Sequence, residues 1–235
     1  MKILAIDSSG LVAGVAVVED DVLLAEYTTN YKKTHSQTLL PMLDELRNMI
    51  ELDLDTVDAI AIASGPGSFT GLRIGSATAK GLGLALGKPL VEVPTLEGLA
   101  WNLWGSSQIV CPMMDARRNQ VYTAAYEFVL RGERYQLQNV IPQQPVDIVE
   151  MLERLNELDR EVVFLGDGVP VYLNLIQENI KVPYSLAPAS CNRQRAACIA
   201  ALGAGYFAAG KTVSAEAHKP EYLRKSQAEQ DAKKF

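Results

Sequence analysis

The chain has 235 residues, of which 48% are hydrophobic and 21% are charged. This is the composition of an ordinary globular protein with room for one or two compact domains. The net charge is −6 and the isoelectric point is about 5.1. A protein that holds nucleic acid by itself needs a basic face to neutralise phosphates, so these values disfavour strong direct binding to nucleic acid.

The cysteines and the pattern of apolar residues predict a cytoplasmic protein. Cys111, Cys191 and Cys198 are odd in number and lack CxxC spacing, which is typical of reduced thiols inside a cell. The start, MKILAID, enters a strand pattern at once and predicts no signal peptide. Lys80 interrupts the longest apolar run before it reaches the roughly 20 residues that a membrane span needs, so no membrane association is expected.

The first half of the chain predicts an α/β unit with the element order βββαβαβα. Three leading strands are predicted at 2–6, 12–18 and 22 to about 27, with Asp20 and Asp21 in the hairpin turn between the last two. Two more buried strands are predicted, and they lie at 59–63 and 89–93. The predicted helices lie at 36–51, 70–86 and 95–101.

The first of these helices is amphipathic. Its apolar residues at helical intervals are Leu39, Leu43, Leu46 and Ile50, with Met42 and Met49 alongside. Thr34 and Gln37 have the spacing of a capping box at its start. Pro41 lies early in the helix and predicts a local kink.

The second half repeats this order, which predicts two similar subdomains that face each other across a cleft. Its strands are predicted at 109–114, 121–128, about 135–140, 162–165 and near 182–186, and its main helices at 146–158 and 193–209. The first strand of each half ends at an aspartate, Asp7 and Asp115. A break near Gly105 divides the chain into predicted domains at 1–105 and 106–235.

The stretch SGPGSFTGLRIGSATAKGLG at 64–83 admits two interpretations. A strand, a glycine-rich turn and a helix N-terminus together form a common cradle for phosphate. However, Gly71 follows Gly65 and Gly67 one residue late for the dinucleotide spacing, and no GK[ST] sequence supplies a P-loop. A tight strand-to-helix turn without a ligand explains the pattern equally well.

Small residues continue along the following helix in two rows. The first row is Gly71, Gly75, Ala79 and Gly83, and the neighbouring row is Ala77, Gly81 and Ala85. Each interior glycine disfavours a helix by about 1 kcal/mol relative to alanine, so a closely packed neighbour is expected to offset that cost. The neighbour is either this chain's own sheet and first helix or a partner protein, and the sequence leaves both open.

Five segments together point to a known family. They are ILAIDSS, THSQTLLPML, GPGSFTGLRIG, MDARRNQVY and PEYLR, and they run from one end of the chain to the other. On these motifs the chain resembles the TsaB (YeaZ) family, which works in the biosynthesis of N6-threonylcarbamoyladenosine in tRNA. The resemblance implies the duplicated α/β fold of actin, Hsp70 and the sugar kinases (the ASKHA, ribonuclease H-like class), and a degenerate paralogue of the catalytic subunit TsaD.

The resemblance also implies a non-catalytic subunit that dimerises with a TsaD-like catalytic subunit. A TsaE-like ATPase and a threonylcarbamoyl-adenylate synthase would work with it, and little direct tRNA binding is expected. The first two helices would form the partner interface, and the same face would support a homodimer when the partner is absent. The residues expected there are Leu39, Met42, Leu43, Leu46, Met49, Ile50, Leu72, Gly75, Ala79 and Leu82.

No catalytic residue and no metal site are expected. The catalytic relative binds metal through an HxxxH pair on its first helix, whereas here Leu39 stands four residues after His35. His218 is the only other histidine in the chain, so two helical histidine ligands cannot be supplied. His35 is interpreted as a polar residue near the helix start.

No cofactor is expected to be required, although weak binding of ATP or ADP without hydrolysis stays open. The residues of such a vestigial nucleotide or phosphate site would be Asp7, Ser8, Ser9, Gly65, Gly67, Ser68 and Asp115. Turn residues that bond nearby backbone are the alternative explanation for Asp7 and Ser8.

A small ATP-dependent kinase of the same fold is the alternative function. Its second phosphate loop, at 166–168, is only a weak match to the first glycine-rich loop. A peptidase is disfavoured because the chain lacks GxSxG around Ser68.

Residues 211–235 are polar and predict a weakly ordered tail. Within it, the motif PEYLR at 220–224 is expected to dock on the body or on a partner. The sequence leaves open where the helix at 193–209 packs, because the final helix of this fold can return to the first subdomain.

Overall fold

The structure is a computed structural model that describes residues 1–31 and 33–224. Two five-stranded sheets form its centre, and helices pack against both. Within the described residues, the helices are all too short or too polar to span a bilayer.

The first subdomain contains five strands and three α-helices. Two short 3-10 helices are also present: Leu54–Thr56 follows the first α-helix, and Trp101–Leu103 follows the third. The elements are β1 (Lys2–Asp7), β2 (Ala13–Glu19), β3 (Val22–Thr29), α1 (His35–Met49), β4 (Ala59–Gly65), α2 (Phe69–Leu86), β5 (Leu90–Pro94) and α3 (Thr95–Ala100).

The second subdomain repeats the pattern with longer hairpin strands. Two short helices, Gly168–Val171 and Leu173–Asn179, follow its fourth strand. The elements are β6 (Ile109–Asp115), β7 (Gln120–Arg131), β8 (Arg134–Asp147), α4 (Ile148–Glu157), β9 (Val162–Leu165), α5 (Gly168–Val171), α6 (Leu173–Asn179), β10 (Tyr184–Leu186) and α7 (Ala196–Ala208).

The two sheets share one topology. The first has the strand order β3-β2-β1-β4-β5 and the second has the order β8-β7-β6-β9-β10. In each sheet the three leading strands are antiparallel neighbours, and the last two strands join in parallel. The predicted duplication is confirmed, and this is the α/β architecture of the actin, Hsp70 and sugar-kinase class.

Helices cover both faces of the first sheet, and β1 is therefore buried on both sides. Leu4 and Ile6 lie in one apolar cluster with Leu39 of α1, whereas Ile3 and Ala5 lie in another with Ile199 of α7. Successive side chains of a strand point to opposite faces of the sheet. A strand covered on both faces thus needs the continuous apolar run that the sequence shows here.

Helix α7 comes from the second half of the sequence but packs on the sheet of the first subdomain. Its small residues allow a close approach, since a Cβ on Gly203 would lie 2.6 Å from the Cβ of Ala61. At its start, Nε of Arg195 and the backbone N–H of Ala197 both donate hydrogen bonds to the Glu26 carboxylate. The chain therefore crosses between the subdomains twice, once after α3 and once before α7.

Helix α3 joins the two halves through apolar contacts. Leu96 and Leu99 of this helix share a buried cluster with Val110, Tyr126 and Phe128 of the second sheet. The separate core of the second subdomain lies on the other side of that sheet, beneath α4 and α6. Each subdomain thus has its own core, and a further apolar cluster lies between the two subdomains.

The predicted capping box at α1 is wrong. The Thr34 side chain makes no capping hydrogen bond to a backbone N–H of the helix. Its backbone carbonyl accepts from Gln37 N at 2.9 Å, while its hydroxyl lies 3.2 Å from the hydroxyl of Ser36. The Ser36 hydroxyl thus takes the place of a backbone N–H as the partner of the Thr34 hydroxyl. The spacing of Thr34 and Gln37 in the sequence does not reveal this competition. Pro41 lies inside the helix.

The prediction of a weakly ordered tail is wrong for residues 211–219, which pack on the body, whereas PEYLR at 220–224 docks on the body, one of the two outcomes expected for it. Val213 and Leu90 pair through two backbone hydrogen bonds of 2.9 Å. Ala215 and His218 are buried, although the surrounding sequence is polar. These few buried residues hold the segment on the body. The average composition of a segment does not reveal individual buried residues. The rest of the predicted tail lies outside the described residues.

Candidate partner surface and interdomain cleft

Most residues predicted for the partner interface are buried within this chain, and their assignment to a free surface is corrected. Seven of the ten contribute to the chain's own interior because α1 and α2 need an apolar face to pack on the sheet. These seven are Leu39, Met42, Leu43, Leu46, Leu72, Gly75 and Ala79. Of the other three, Ile50 and Leu82 are half-buried, whereas Met49 is 73% exposed.

The first row of small residues on α2 faces the chain itself. A Cβ on Gly71 would lie 2.1 Å from the carbonyl oxygen of Ser8, and one on Gly75 would lie 2.4 Å from the Ser8 hydroxyl. A Cβ on Gly83 would lie 3.0 Å from Ala215. These glycines let the β1–β2 turn and the C-terminal segment approach α2 closely, so their neighbour is intramolecular.

The second row of small residues faces outward. Ala77, Gly81 and Ala85 are exposed, and among the described residues no heavy atom outside the adjacent backbone of α2 lies within 4 Å of where a Gly81 Cβ would be placed. No contact within residues 1–31 and 33–224 therefore explains the glycine at this helix-interior position. The large apolar side chains exposed on the same pair of helices are Leu40, Met49 and Leu84.

The exposed face of α2 carries little charge. Arg73 is its one charged residue in the exposed class across Phe69–Leu86, all of which the structure describes. Lys80 is half-buried, and its Nζ donates to the backbone carbonyls of Glu216 and His218. Depletion of charge at the centre of an exposed face is typical of protein–protein interfaces.

The predicted phosphate residues of the β1–β2 turn are brought together, but they bond to one another. The buried Asp7 carboxylate accepts from the backbone N–H of Ser9 at 2.9 Å and from its hydroxyl at 2.6 Å. Ser8 donates its hydroxyl to the carbonyl of Gly71 at 2.9 Å. Burial raises the pKa of Asp7, and the two bonds from Ser9 oppose that rise.

The glycine-rich turn is also filled by the chain. Ser68 N donates to the Ser9 carbonyl at 2.7 Å, and Gly71 N donates to the Ser68 hydroxyl at 3.3 Å. A Cβ on Gly67 would lie 2.3 Å from the Ser9 carbonyl oxygen. Two N–H groups at the start of α2 are therefore already used, which weakens the phosphate-cradle interpretation.

The second subdomain supplies the opposite wall of the cleft. Asp115 Oδ1 accepts from Arg117 N at 2.7 Å, the same two-residue turn as at Asp7, and from the Tyr172 hydroxyl at 2.8 Å. Burial raises the pKa of the nearby Asp167 carboxyl, whose Oδ1 has no hydrogen-bond partner among residues 1–31 and 33–224. The duplication is thus visible at the level of single hydrogen bonds.

A cavity of about 720 Å³ lies between these walls. Its lining carries both signs of charge, from Asp115, Asp167 and Glu221 on one hand and from Lys33, Arg117 and Arg224 on the other. A phosphate site would concentrate positive charge, and this cleft does not.

His35 takes a structural position. One ring nitrogen, Nε2, lies 2.8 Å from the carbonyl oxygen of Gly10. Leu39, one turn further along α1, is 1% exposed in the apolar core. In the part of the chain that the structure describes, no three His, Cys, Asp or Glu side chains are grouped in a way that would hold a metal ion.

The sequence analysis missed one cluster at the cleft mouth, formed by Phe69, Arg73 and Tyr222. The rings of Phe69 and Tyr222 lie 4.7 Å apart, and the Arg73 guanidinium lies 3.9 Å from the centre of the Phe69 ring. Phe69 and Arg73 are four residues apart on one helix, which is a detectable pair. The partner ring comes from the distant PEYLR motif, and no local pattern links the two.

A duplicated fold with a cleft between matching subdomains places the protein in the ASKHA class. The family model described as TsaD, tRNA N6-adenosine threonylcarbamoyltransferase, matches residues 22–232. The chain is 36% identical over 231 residues to the TsaB protein of Bacillus subtilis strain 168, covering 97% of this chain and 96% of that one. The chain belongs to the TsaB (YeaZ) family.

Two further relatives agree with this assignment. The TsaB protein of Escherichia coli K12 is 33% identical over 230 residues, covering 95% of each chain. The solved structure titled YeaZ from Pseudomonas aeruginosa superposes with a TM-score of 0.75 at 28% identity, covering 94% of this chain and 99% of that one. Both relatives match the chain over nearly its whole length.

Proposed function

We propose that the chain is a non-catalytic subunit of the machinery that forms N6-threonylcarbamoyladenosine in tRNA. The observation that carries this proposal is 36% identity over 97% of the chain to a protein named for that biosynthesis. In this role it binds and supports a TsaD-like catalytic subunit in the cytoplasm, with a TsaE-like ATPase in the same assembly. Alone it forms a homodimer through the same face, and it binds tRNA little by itself.

The chemistry of the described residues supports a non-catalytic role. The helix position that would carry a second metal-binding histidine is Leu39, which is buried in the core. The strand-end carboxylates of Asp7 and Asp115 already accept hydrogen bonds from their own turns. A catalytic carboxylate is expected to face substrate or metal instead.

The outward face of α2 is the proposed docking surface. It combines small side chains at Ala77, Gly81 and Ala85 with the exposed Leu84, and it borders α1 with its exposed Leu40. A row of small residues lets a partner helix approach closely. This arrangement would explain the exposed glycine at position 81, because the absence of a Cβ leaves room for the backbone of a partner helix.

Reconstituted threonylcarbamoylation of tRNA tests the function. Product is expected only when this chain is added to the TsaD-like subunit, the TsaE-like ATPase and the adenylate synthase, because the support it gives is required for turnover. The chain alone is expected to form none. Full activity without it would contradict the proposed role.

Two exposed helical glycines offer a matched test of the surface. Gly81 of α2 and Gly205 of α7 both have open space where a Cβ would be placed. Gly81→Arg is expected to weaken binding to the TsaD-like subunit at least about tenfold, because a bulky charged group at the interface centre is costly. Gly205→Arg, on the other face of the sheet, is expected to bind normally. Calorimetric titration measures both, and equal affinities would exclude this surface.

We also infer that no cofactor is needed and that nucleotide binds weakly, without hydrolysis. The supporting observation is that Ser68 N and Gly71 N are already bonded within the chain. Titration with magnesium ATP should show no tight site, and phosphate release should stay at the background rate. Turnover by the isolated chain would instead favour a kinase of the same fold.

A further inference from the structure

The C-terminal segment is first anchored to one subdomain. Nδ1 of the buried His218 lies 2.6 Å from Glu92 Oε1 on β5. Lys80 of α2 donates to the carbonyls of Glu216 and His218 at 3.1 and 3.2 Å. These contacts fix the start of residues 219–224, which we call the clasp.

The backbone of the clasp packs on the glycine-rich turn. Glu221 N donates to the Ser64 carbonyl at the end of β4 at a distance of 2.7 Å. A Cβ on Gly65 would lie 2.3 Å from the Glu221 carbonyl oxygen. Gly65 has a φ of 127°, a conformation that strongly favours glycine. The turn is therefore shaped to receive a peptide of this same chain.

A side-chain stack extends this contact along α2. The Tyr222 ring lies 4.7 Å from the Phe69 ring, and Nε of Arg73 donates to the Tyr222 hydroxyl at 3.4 Å. The Arg73 guanidinium covers the Phe69 ring at 3.9 Å. Aromatic and cation–π contacts of this kind are stabilising even at partly exposed positions.

The same few residues also reach the second subdomain. The Glu221 carboxylate accepts from Nε2 of Gln143 on β8 at 3.1 Å. Nη1 of Arg224 donates at 2.9 Å to the carbonyl of Ala116, just beyond the end of β6. Four consecutive residues, 221–224, line the cavity between the subdomains. The clasp is thus bonded to both walls of the cleft.

We propose that the clasp is an intramolecular strap that fixes the angle between the two subdomains. In two-lobed proteins that close by a hinge, a ligand bound between the lobes makes contacts with both and sets that angle. Here the chain supplies those contacts itself. The apolar cluster around α3 joins the subdomains at one place and the clasp joins them at another, so rotation about either attachment requires the other to break.

Two shortened chains test the proposal in solution. One ends after His218 and lacks the clasp, and the control ends after Lys225 and keeps it. Small-angle X-ray scattering is expected to show a larger radius of gyration and a broader distribution of interatomic distances for the chain without the clasp, because the subdomains can then rotate. The control is expected to match the full chain. Equal scattering from both shortened chains, each folded by circular dichroism, would overturn the proposal.

A point variant keeps the proposal testable if the shorter chain fails to fold. Tyr222→Ala removes the ring of the clasp, and Tyr27→Ala removes a similarly exposed ring on β3. In the first variant the Glu221 amide is expected to exchange its hydrogen about five- to tenfold faster, because the aromatic contact that holds it is lost. The β3 variant should leave that exchange rate unchanged. An unchanged rate in Tyr222→Ala would refute the clasp.

Discussion

At the residue scale, two glycines of α2 with similar sequence surroundings have opposite structural roles. Gly71 lies where a methyl group would strike the carbonyl oxygen of Ser8, whereas Gly81 faces open space. The first is needed for packing and the second only weakens the helix in the isolated chain. Comparison of the two positions separates the loss of helix propensity at a glycine from the close packing that a glycine allows.

Alanine at each position should shift stability in opposite directions. Gly71→Ala is expected to lower the free energy of unfolding by about 1–3 kcal/mol, because backbone atoms must move to relieve the overlap. Gly81→Ala is expected to raise it by about 0.5–1 kcal/mol through helix propensity. Urea denaturation followed by circular dichroism measures both. A stabilising Gly71→Ala would show that the β1–β2 turn is not packed as described.

The buried Asp7 carboxyl makes the stability of the fold depend on pH. Burial raises its pKa above the ordinary value of 3.8, although the bonds from Ser9 oppose the shift. The folded state then holds its proton more tightly than the unfolded chain does. The free energy of unfolding therefore falls as the pH rises from about the unfolded pKa to the higher folded pKa, and above that it is constant.

Replacement of this carboxyl should remove that pH dependence. Asp7→Asn keeps an oxygen that accepts from Ser9 N, but it cannot ionise. We expect the variant to gain stability relative to the natural chain as the pH rises from about 4 towards 7. Thermal unfolding over this range measures the effect, with Asp44→Asn on the exposed face of α1 as the control. A stability difference that does not change with pH would contradict the argument.

At the scale of elements, α7 shows that sequence order and domain membership differ. Ile199 and Leu202 of this helix fill one face of the first sheet together with Ile3 and Val91. Without α7 that face would be open to water over a large apolar area. The predicted domain at 1–105 therefore lacks one of its covering helices.

A fragment of residues 1–105 is thus expected not to fold stably by itself. It would expose the apolar face that α7 covers, and exposed faces of this kind promote aggregation. Addition of residues 106–224 restores the missing helix. Circular dichroism and size-exclusion chromatography of the fragment decide the point, and a monomeric fragment with cooperative unfolding would contradict it.

At the scale of the whole molecule, three separate connections hold the subdomains together. They are the apolar cluster of α3, the return of the chain into α7, and the contacts of residues 219–224. A catalytic protein of this class needs its cleft to open and close around a ligand. Several connections between the subdomains agree with the proposed role of a subunit that presents a fixed surface to a partner.

The sequence alone determined the order of elements, the repeat and the family. Strands such as β1 and helices such as α1 are visible because alternation and helical spacing are local properties of the chain. The buried face of α1 was also correct as a pattern, since Leu39, Leu43 and Leu46 do lie together. The spacing of residues along α1 does not show whether its apolar face packs on this chain or on a partner protein.

Only the tertiary structure decided which surfaces remain free. It turned Gly71 inward and Gly81 outward, placed α7 on the first sheet, and laid the PEYLR segment across the cleft. Each of these outcomes depends on contacts between residues more than 60 positions apart or on the absence of any contact. A spacing rule reports which residues share a face of an element. What covers that face is determined by the packing of the whole chain.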